Sequence, residues 1–400
     1  MTAGHVTTAS GEPIAYPFAP SDGLGLDDAY AAARDTAGLL RVRMPFGEDA
    51  WLATRYADVR LVLGDVRFSR AAAAERDEPR LAPGRLTTGL MAMDPPEHTR
   101  LRTLVAKAFT ARRVERSRPR VAEFAAGLVR EVKAAGGADL VEDYALPIPV
   151  AMICDLLGVP VADRPSFREW SNGLLSSGDV ELFDVNRERL RDYFADLVAR
   201  RRAEPADDLM TALVEARDAR DRLSEEELVD LSLGLLVAGH ETTASMIAGS
   251  AFALLDRRDR WERLVARPDL LPVAVEELLR YVPVSASALF SRYAKEDVEV
   301  GGTVVRAGQP VMVAIGAANR DRLRYDLGEE LVLDRADNTH LAFGHGAHHC
   351  LGAPLARLEV QEALRALLAG VPDLRLAGEV EWKSLMIVRG PKRMPVTSGS

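Results

Sequence analysis

Hydrophobic positions recur with a helical period over most of this 400-residue chain. The longest such stretch begins at Ser224 and ends at Leu255, and its apolar residues surround the helix on nearly all sides. A helix of this composition belongs inside a protein core. Its first residues, Ser224 to Glu227, have the spacing of a capping box, in which the serine and the glutamate satisfy each other's backbone N–H groups. We therefore predict a long buried helix from Ser224 to Leu255.

Patterns typical of strands occur only in short segments near the two ends of the chain. Residues 121–222 instead read as a series of helices interrupted by glycine and proline. The predicted strand segments are Val42–Met44, Trp51–Thr54, a Gly-Gly hairpin at Val298–Val305, Val311–Ile315 and a terminal hairpin at Leu376–Val388. The pattern predicts a mainly α fold with a smaller β region.

Composition favours one large domain over residues 1–400, with residues 1–25 as an extended lead-in. No linker, repeat or low-complexity tract divides the chain, and 48% of its residues are hydrophobic. The formal charge of −9 argues against nucleic-acid binding. The N-terminus has no signal-peptide pattern, and no apolar stretch reaches the ~18 residues that a membrane span requires. We expect a cytoplasmic protein without a membrane anchor.

The chain has two cysteines in different surroundings, which argues against a disulfide framework. Cys154 lies in an apolar helical pattern and is expected to be a core residue. Cys350 lies in a glycine-rich loop just before a predicted helix at Pro354–Leu368, where the helix N-terminus favours a thiolate. His345, His348 and His349 also raise the possibility of zinc, although structural zinc sites of this kind usually pair cysteines.

Polar residues interrupt the middle of the long apolar helix, at Ala238-Gly239-His240-Glu241-Thr242-Thr243. Glycine costs about 1 kcal/mol relative to alanine in a helix, and an unpaired buried carboxylate costs far more. The Thr242 hydroxyl can bond the Ala238 carbonyl four residues earlier, which predicts a local widening of the helix. One interpretation is a kink around a buried ion pair, and the other is a functional site.

The loop from Phe343 to Gly352 resembles the haem-ligand loop of the cytochrome P450 monooxygenases. The residues that fit the family pattern are Phe343, Gly344, Gly346, His348, Cys350 and Gly352. The resemblance implies the cytochrome P450 fold, with haem b held by the Cys350 thiolate between the long helix and the helix that follows the cysteine loop. Phe343 and Gly344 are then part of the haem-binding loop.

The polar segment of the long helix resembles the oxygen-activation site of the same family. By this resemblance, Ala238 and Gly239 leave room for O₂, Thr242 hydrogen-bonds the bound dioxygen, and Glu241 helps to deliver protons. Thr242 and Glu241 are therefore the predicted catalytic residues.

Further motifs resemble the residues that bind the haem propionates in this family. They also resemble a buried set of ion-paired residues behind the cysteine loop, here called the brace. The implied propionate partners are His98 and Arg102, on a helix predicted to begin at Pro95 or Pro96, together with Arg292 and His348. The implied brace is Glu277, Arg280 and Arg335, which has a structural role. His349 occupies a variable position and receives no role.

The chain as a whole looks most like actinobacterial members that tailor macrolides and other natural products. A mobile lid is implied near Asn172 to Phe183. The predicted substrate-binding residues are mostly apolar, as ligand pockets usually are: Leu90, Met91, Leu174, Leu175, Val237, Ala238, Ala288, Leu289, Met386 and Ile387.

The implied function is insertion of one atom of O₂ into a C–H bond or alkene of a lipophilic secondary metabolite, such as a macrolide, polyketide or peptide-antibiotic intermediate. The sequence has no flavin-binding glycine motif and too few cysteines for an iron–sulfur cluster. A ferredoxin and its reductase are therefore the expected electron donors to a monomeric enzyme. The basic run from Arg112 to Arg120 is either a solvated face or a surface for an acidic donor.

Two alternatives remain open. One is a peroxide-driven or oxidative-coupling haem-thiolate enzyme, which needs no external electron donor. The other is a non-catalytic protein that binds haem or zinc. The presence of both Glu241 and Thr242 favours the oxygen-dependent monooxygenase.

Overall fold

A computed structural model of the chain describes residues 12–18, 23–36, 38–81, 89–175, 180–218, 223–285, 290–383 and 388–398. It divides into two compact units. The strand-rich unit comprises Met1–Asp94 and Glu276–Cys350, and the helical unit comprises Pro95–Val275 and Leu351–Ser400. Most of the helices lie in the helical unit, and most of the strands lie in the strand-rich unit.

The described residues contain short strands and longer helices, as the hydrophobic pattern predicted. The strands are β1 (Ile14–Ala15), β2 (Leu40–Arg43), β3 (Ala50–Ala53), β4 (Phe68–Ser69), β5 (Gly137–Asp139), β6 (Arg292–Ala294), β7 (Val298–Val300), β8 (Thr303–Val305), β9 (Pro310–Val313), β10 (Arg375–Leu376), β11 (Glu381–Trp382), β12 (Pro391–Arg393) and β13 (Pro395–Thr397). The helices are α1 (Asp28–Asp35), α2 (Tyr56–Gly64), α3 (Glu97–Ala106), α4 (Ala111–Ala135), α5 (Pro147–Leu157), α6 (Arg164–Leu175), α7 (Val180–Ala203), α8 (Leu209–Asp218), α9 (Glu225–Leu255), α10 (Arg258–Ala266), α11 (Leu271–Tyr281), α12 (Ile315–Ala318) and α13 (Ala353–Gly370).

The strand-rich unit is built on a six-stranded sheet in the order β1-β2-β3-β9-β6-β4. Strand β3 pairs antiparallel with β2 and parallel with β9, which places Trp51 opposite Val311. Val42, Leu52 and Met312 are fully buried and form part of one core cluster of this unit. The separate β7–β8 hairpin turns at Gly301 and Gly302, both with positive φ, as the Gly-Gly signal predicted.

The helical unit contains the long apolar helix, α9. Both bonds of its predicted capping box are present, from Glu227 N–H to Ser224 Oγ at 3.0 Å and from Ser224 N–H to Glu227 Oε2 at 2.7 Å. Helices α5, α6, α7 and α13 pack against α9, which explains why apolar residues cover nearly all of its surface. Among the described helices, none is long and apolar enough to cross a membrane.

Two predictions about local structure are wrong, those of a widened α9 and of a terminal hairpin. Helix α9 keeps its α conformation from Glu225 to Leu255 without the expected widening. A carbonyl oxygen has two lone pairs, so the Ala238 carbonyl can accept the Thr242 hydroxyl without losing its helical bond. The start of α3 agrees with the prediction of about Pro95 or Pro96, since Pro96 is the N-cap and Glu97 the first helical residue. The predicted terminal hairpin is two separate pairings, because β10 pairs with β13 and β11 pairs with β12.

Candidate active site

The cysteine loop of the strand-rich unit presents the Cys350 thiol at the surface of the chain. The Cys350 N–H donates to the Phe343 carbonyl at 2.8 Å, and the His349 N–H donates to the Gly346 carbonyl at 3.0 Å. Between them, Gly346–His348 forms a single 3₁₀ turn. Helix α13 begins at Ala353, three residues after Cys350 along the chain. The loop is closed by its own backbone hydrogen bonds, and Cys350 at its end is exposed.

Glycine is required at two positions of this loop. Gly344 and Gly346 have φ values of 71° and 73°, a conformation that residues with a Cβ rarely adopt. A side chain on Gly346 would also overlap the backbone of Leu63 and Gly64 in α2. This close approach fixes the cysteine loop against α2 within the strand-rich unit.

The second cysteine has the opposite environment. Cys154 is fully buried in α5, and burial raises the pKa of its thiol to about 12. A thiol of this kind is chemically inert. The expectation that Cys154 is a core residue is confirmed.

Arg292 of β6 is a buried cation in the strand-rich unit. Its Nη1 donates to the Phe290 carbonyl at 3.0 Å, and no carboxylate of the described residues forms an ion pair with it. Burial, followed by the nearby charge of Arg70, lowers the pKa of Arg292 to about 9. Guanidinium groups stay charged in proteins, so the lowered pKa means that the buried charge of Arg292 is poorly compensated. An anion bound beside Arg292 would stabilise it.

Arg70, which the sequence analysis missed, organises the residues around Arg292. Its side chain is 1% exposed and forms an ion pair with Glu78 at 2.9 Å. It also donates to the carbonyl oxygens of Ser291 at 2.8 Å and Met91 at 3.0 Å. Nothing in the local sequence pattern distinguishes Arg70 from a surface arginine.

The brace residues Glu277, Arg280 and Arg335 lie together in the strand-rich unit. Arg280 donates to both carboxylate oxygens of Glu277, at 2.8 and 2.7 Å, and Arg335 Nε donates to Glu277 Oε2 at 3.0 Å. The side chains of Glu277 and Arg280 are fully buried. The brace therefore has the bidentate geometry in which a buried ion pair is well satisfied.

The polar segment of α9 presents two faces with different surroundings. Ala238 is exposed and Thr242 is partly exposed, and the Thr242 hydroxyl donates to the Ala238 carbonyl at 2.8 Å. Gly239 lies against α5, where an added Cβ would approach Ile153 Cδ1 to 3.0 Å. Glycine thus permits close packing on one side while the Ala238–Thr242 side stays open.

Glu241 faces the buried side of α9 and is paired with a residue that the sequence analysis did not identify. Its carboxylate forms an ion pair with Lys383, and the two side chains are 5% and 11% exposed. Lys383 Nζ also donates to Ser245 Oγ at 2.8 Å. The buried ion pair of the first interpretation is therefore present, within a helix that is α-helical from Glu225 to Leu255.

His240 links α9 to α6. Its Nδ1 lies 2.9 Å from the Leu236 carbonyl and its Nε2 lies 3.0 Å from Ser171 Oγ. Since a carbonyl only accepts, Nδ1 carries the hydrogen of the neutral imidazole, and Nε2 faces the Ser171 hydroxyl, which also lies 3.2 Å from the Arg168 carbonyl. Burial lowers the pKa of His240, so the imidazole is neutral at physiological pH.

The remaining predicted site residues lie in both units. His98 is buried on α3, and Arg102 follows one turn later on the same face, half-buried. His348 is half-buried in the cysteine loop. No group of three or more His, Cys, Asp or Glu side chains within the described ranges could hold a metal ion by itself.

The predicted substrate residues are only partly described. Leu90 is half-buried and Met91 is exposed in the strand-rich unit. Leu174 is buried on α6, where Leu175 is the last residue, and Val237 is half-buried on α9. Ala288, Leu289, Met386 and Ile387 lie outside the described residues.

Comparison with known proteins identifies the family. A family model for Cytochrome P450 matches residues 180–370. The chain is 50% identical over 393 residues to mycinamicin IV hydroxylase/epoxidase of Micromonospora griseorubida, covering 97% of this chain and 99% of the relative. It is 48% identical to nocardicin C N-oxygenase of Nocardia uniformis subsp. tsuyamanensis, covering 96% and 98%.

Solved structures agree with this result over almost the whole chain. The crystal structure of HinD with NMFT and NO matches with a TM-score of 0.94 at 51% identity, covering 96% of this chain and 99% of that one. The mixed-function P450 MycG matches with a TM-score of 0.89 at 50% identity, covering 96% and 100%. These matches confirm the predicted fold class and enzyme class. The chain therefore belongs to the cytochrome P450 family of haem-thiolate monooxygenases.

Proposed function

We propose that this chain binds haem b through Cys350 and oxygenates a lipophilic secondary metabolite of the macrolide, polyketide or peptide-antibiotic class. The observation that carries the proposal is the exposed Cys350 on a loop closed by Gly344 and Gly346. The substrate class is supported by relatives named for mycinamicin IV and for nocardicin C. Hydroxylation of a C–H bond and epoxidation of an alkene are both compatible with this assignment.

The donor set of the chain fits haem. Haem is a flat apolar ring with an iron that takes a thiolate and with two carboxylates at one edge. Cys350 offers an accessible thiol, and buried Arg292 lies where an added anion is favoured. His98, Arg102 and His348 are the further proposed propionate partners, while Phe343 and Gly344 shape the loop beside the ring. When bound, a thiolate-ligated haem supplies the activation of dioxygen.

The protein's own contribution is to position hydroxyl, carboxyl and apolar groups. The Thr242 hydroxyl lies on the open side of α9 and is proposed to donate a hydrogen bond to dioxygen, for which Ala238 and Gly239 leave space. Glu241 is proposed to deliver protons. Leu90, Met91, Leu174, Leu175 and Val237, with the residues outside the described ranges, are proposed to contact the substrate.

The remaining roles are also proposals. Glu277, Arg280 and Arg335 are proposed to keep the strand-rich unit rigid behind the cysteine loop. The whole chain is proposed to act as one P450 domain, as a monomer and in the cytoplasm.

A ferredoxin, re-reduced by its reductase, is the proposed electron donor. Several arginines at the start of α4 are exposed, and the side chains of Arg112 and Arg116 form no ion pair with the described residues. Such unpaired cations suit an acidic partner.

The test is the carbon-monoxide difference spectrum of the reduced protein, followed by turnover with a ferredoxin, its reductase and a panel of macrolides. We expect a thiolate-type spectrum, a spin-state change on binding a macrolide, and oxygenated product that depends on O₂ and reduced ferredoxin. A colourless protein, or haem held by a histidine nitrogen, would contradict the proposal. Product formed only with added peroxide would instead favour the peroxide-driven alternative.

A further inference from the structure

Lys383 is the basic partner of the carboxylate on α9. Its ammonium contacts Glu241 Oε1 and donates to Ser245 Oγ at 2.8 Å. The side chains of Lys383 and Glu241 are 11% and 5% exposed. Water screens charges poorly at such a site, so the two ions hold each other more firmly than a surface pair does.

The backbone beside Lys383 is held against the same helix. The Lys383 N–H donates to the Gly390 carbonyl at 3.0 Å, which closes the β11–β12 pairing next to the ion pair. The ring of Trp382 meets the ring of Phe252 edge-on, with 5.1 Å between centroids. A Cβ on Gly390 would lie 2.8 Å from the Ser245 Cβ, so glycine is needed for this approach. Lys383 therefore has a fixed backbone from which its ammonium reaches Glu241.

The two catalytic side chains of α9 use different partners. Thr242 donates to the Ala238 carbonyl, whereas Glu241 accepts from Lys383. Consecutive residues of a helix project about 100° apart, so these two side chains face different sides of α9. The Glu241 carboxylate is thus held by Lys383, whose ammonium also donates to Ser245, rather than by Thr242.

We propose that Lys383 is a positioning residue for oxygen activation, which holds the Glu241 carboxylate in the place from which it delivers protons. This inference rests on the proposed monooxygenase function. The effect of Lys383 on the reaction passes entirely through Glu241.

The first experiment observes the carboxyl group directly, in the resting holoenzyme at neutral pH. Removing the ammonium takes away the hydrogen-bond donor of the Glu241 carboxylate, so the surroundings of that carboxylate change. We expect the carboxyl infrared bands of Lys383→Met to differ from those of wild type, and the changed band to be absent from Lys383→Met/Glu241→Gln. The difference between these two variants is the required measurement, because burial raises the pKa of Glu359 to about 8 and this group contributes a background band.

The second experiment is a kinetic cycle of Lys383→Met, Glu241→Gln and the double variant. Two residues that act as a unit have non-additive effects. We expect Lys383→Met to lower kcat about tenfold, a smaller loss than the ~10²-fold typical of removing a proton-transfer group. We also expect a larger share of the electrons consumed to form peroxide instead of product. KM should not change. The double variant should be no slower than Glu241→Gln alone.

Two further variants serve as controls. Lys383→Arg restores a cation and should recover most of the coupling to product. Lys392→Met removes an exposed ammonium from the same β11–β12 pair and should behave as wild type.

The role of Lys383 would be overturned if the double variant lost kcat by the product of the two single losses. An unchanged infrared spectrum of Lys383→Met would also overturn it. Failure of the proposed function has a different signature, since wild type would then lack the thiolate spectrum or oxygenated product. If Lys383→Met does not fold, the milder Lys383→Gln enters the same cycle and carries the same expectation.

Discussion

Arg280 and Glu277 form a bidentate ion pair in which neither side chain reaches solvent, with hydrogen bonds of 2.8 and 2.7 Å. Glu277 also accepts from Arg335 at 3.0 Å and from the Val332 N–H at 2.8 Å. The remaining N–H groups of Arg280 reach backbone carbonyls, including that of Asn319 at 2.7 Å. The Glu277–Arg280 pair thus joins α11 to two other segments of the strand-rich unit, one that contains Asn319 and one that contains Val332 and Arg335.

We expect Glu277→Ala to destabilise the protein by about 3–5 kcal/mol, because it leaves the Arg280 charge buried without its partner. Urea unfolding of the holoenzyme, followed by circular dichroism, measures this change. The control is Asp269→Ala, which removes a carboxylate from the exposed pair with Arg267 and should leave stability unchanged. A Glu277→Ala midpoint equal to that of Asp269→Ala would show that the brace contributes nothing.

Cys350→Ala should abolish oxygenation and the thiolate spectrum of the reduced carbon-monoxide complex. The reason is that alanine provides no sulfur for the iron, while the loop retains its backbone bond to Phe343. Cys154→Ala is the matched control, since it removes the other cysteine from a buried position and should keep the spectrum. Full turnover by Cys350→Ala would remove Cys350 from the role of iron ligand.

The sequence predicted those parts of the fold and site that depend on local chemistry. The capping box at Ser224, the Thr242 bond to Ala238 and the burial of Cys154 follow from residue type and spacing, and the structure contains all three. Lys383 and Arg70 could not be found in this way. Lys383 is 142 residues from Glu241, and Arg70 is 221 residues from Ser291, so only the folded chain brings these groups together.

The strand pairing near the C-terminus shows the same limit. The alternation from Leu376 to Val388 was interpreted as one hairpin, but β10 pairs with β13, so its partner lies beyond β12. Period-two alternation identifies a strand and its buried face, whereas the choice of partner depends on tertiary packing.

Thr242→Ala should divert electrons from product to hydrogen peroxide, because it removes the hydroxyl that is proposed to bond dioxygen. We expect the yield of product per electron pair to fall at least about tenfold, with substrate binding unchanged. The measurement is the ratio of product to peroxide per reductant consumed. Thr242→Ser retains a hydroxyl and should keep most of the coupling, and an unchanged ratio in Thr242→Ala would exclude Thr242 from the oxygen step.

Glu359 of α13 gives the protein a predictable pH dependence of stability. Burial raises its pKa from the usual 4.5 to about 8, so the folded state holds a proton that the unfolded state has released over this range. Stability falls with rising pH wherever the folded state binds more protons. The contribution of Glu359 is therefore most favourable below pH 4.5, is lost progressively up to about pH 8, and changes little above that.

Glu359→Gln removes this titration while keeping a similar shape. The difference in unfolding free energy between Glu359→Gln and wild type should grow in favour of the variant from pH 5 to pH 8. The slope has an upper limit of about 1.4 kcal/mol per pH unit, the value for one proton. Urea unfolding at several pH values measures it, and Glu379→Gln, at an exposed position, serves as the control. Parallel stability curves for Glu359→Gln and wild type would show that the Glu359 carboxyl titrates alike in the folded and unfolded states.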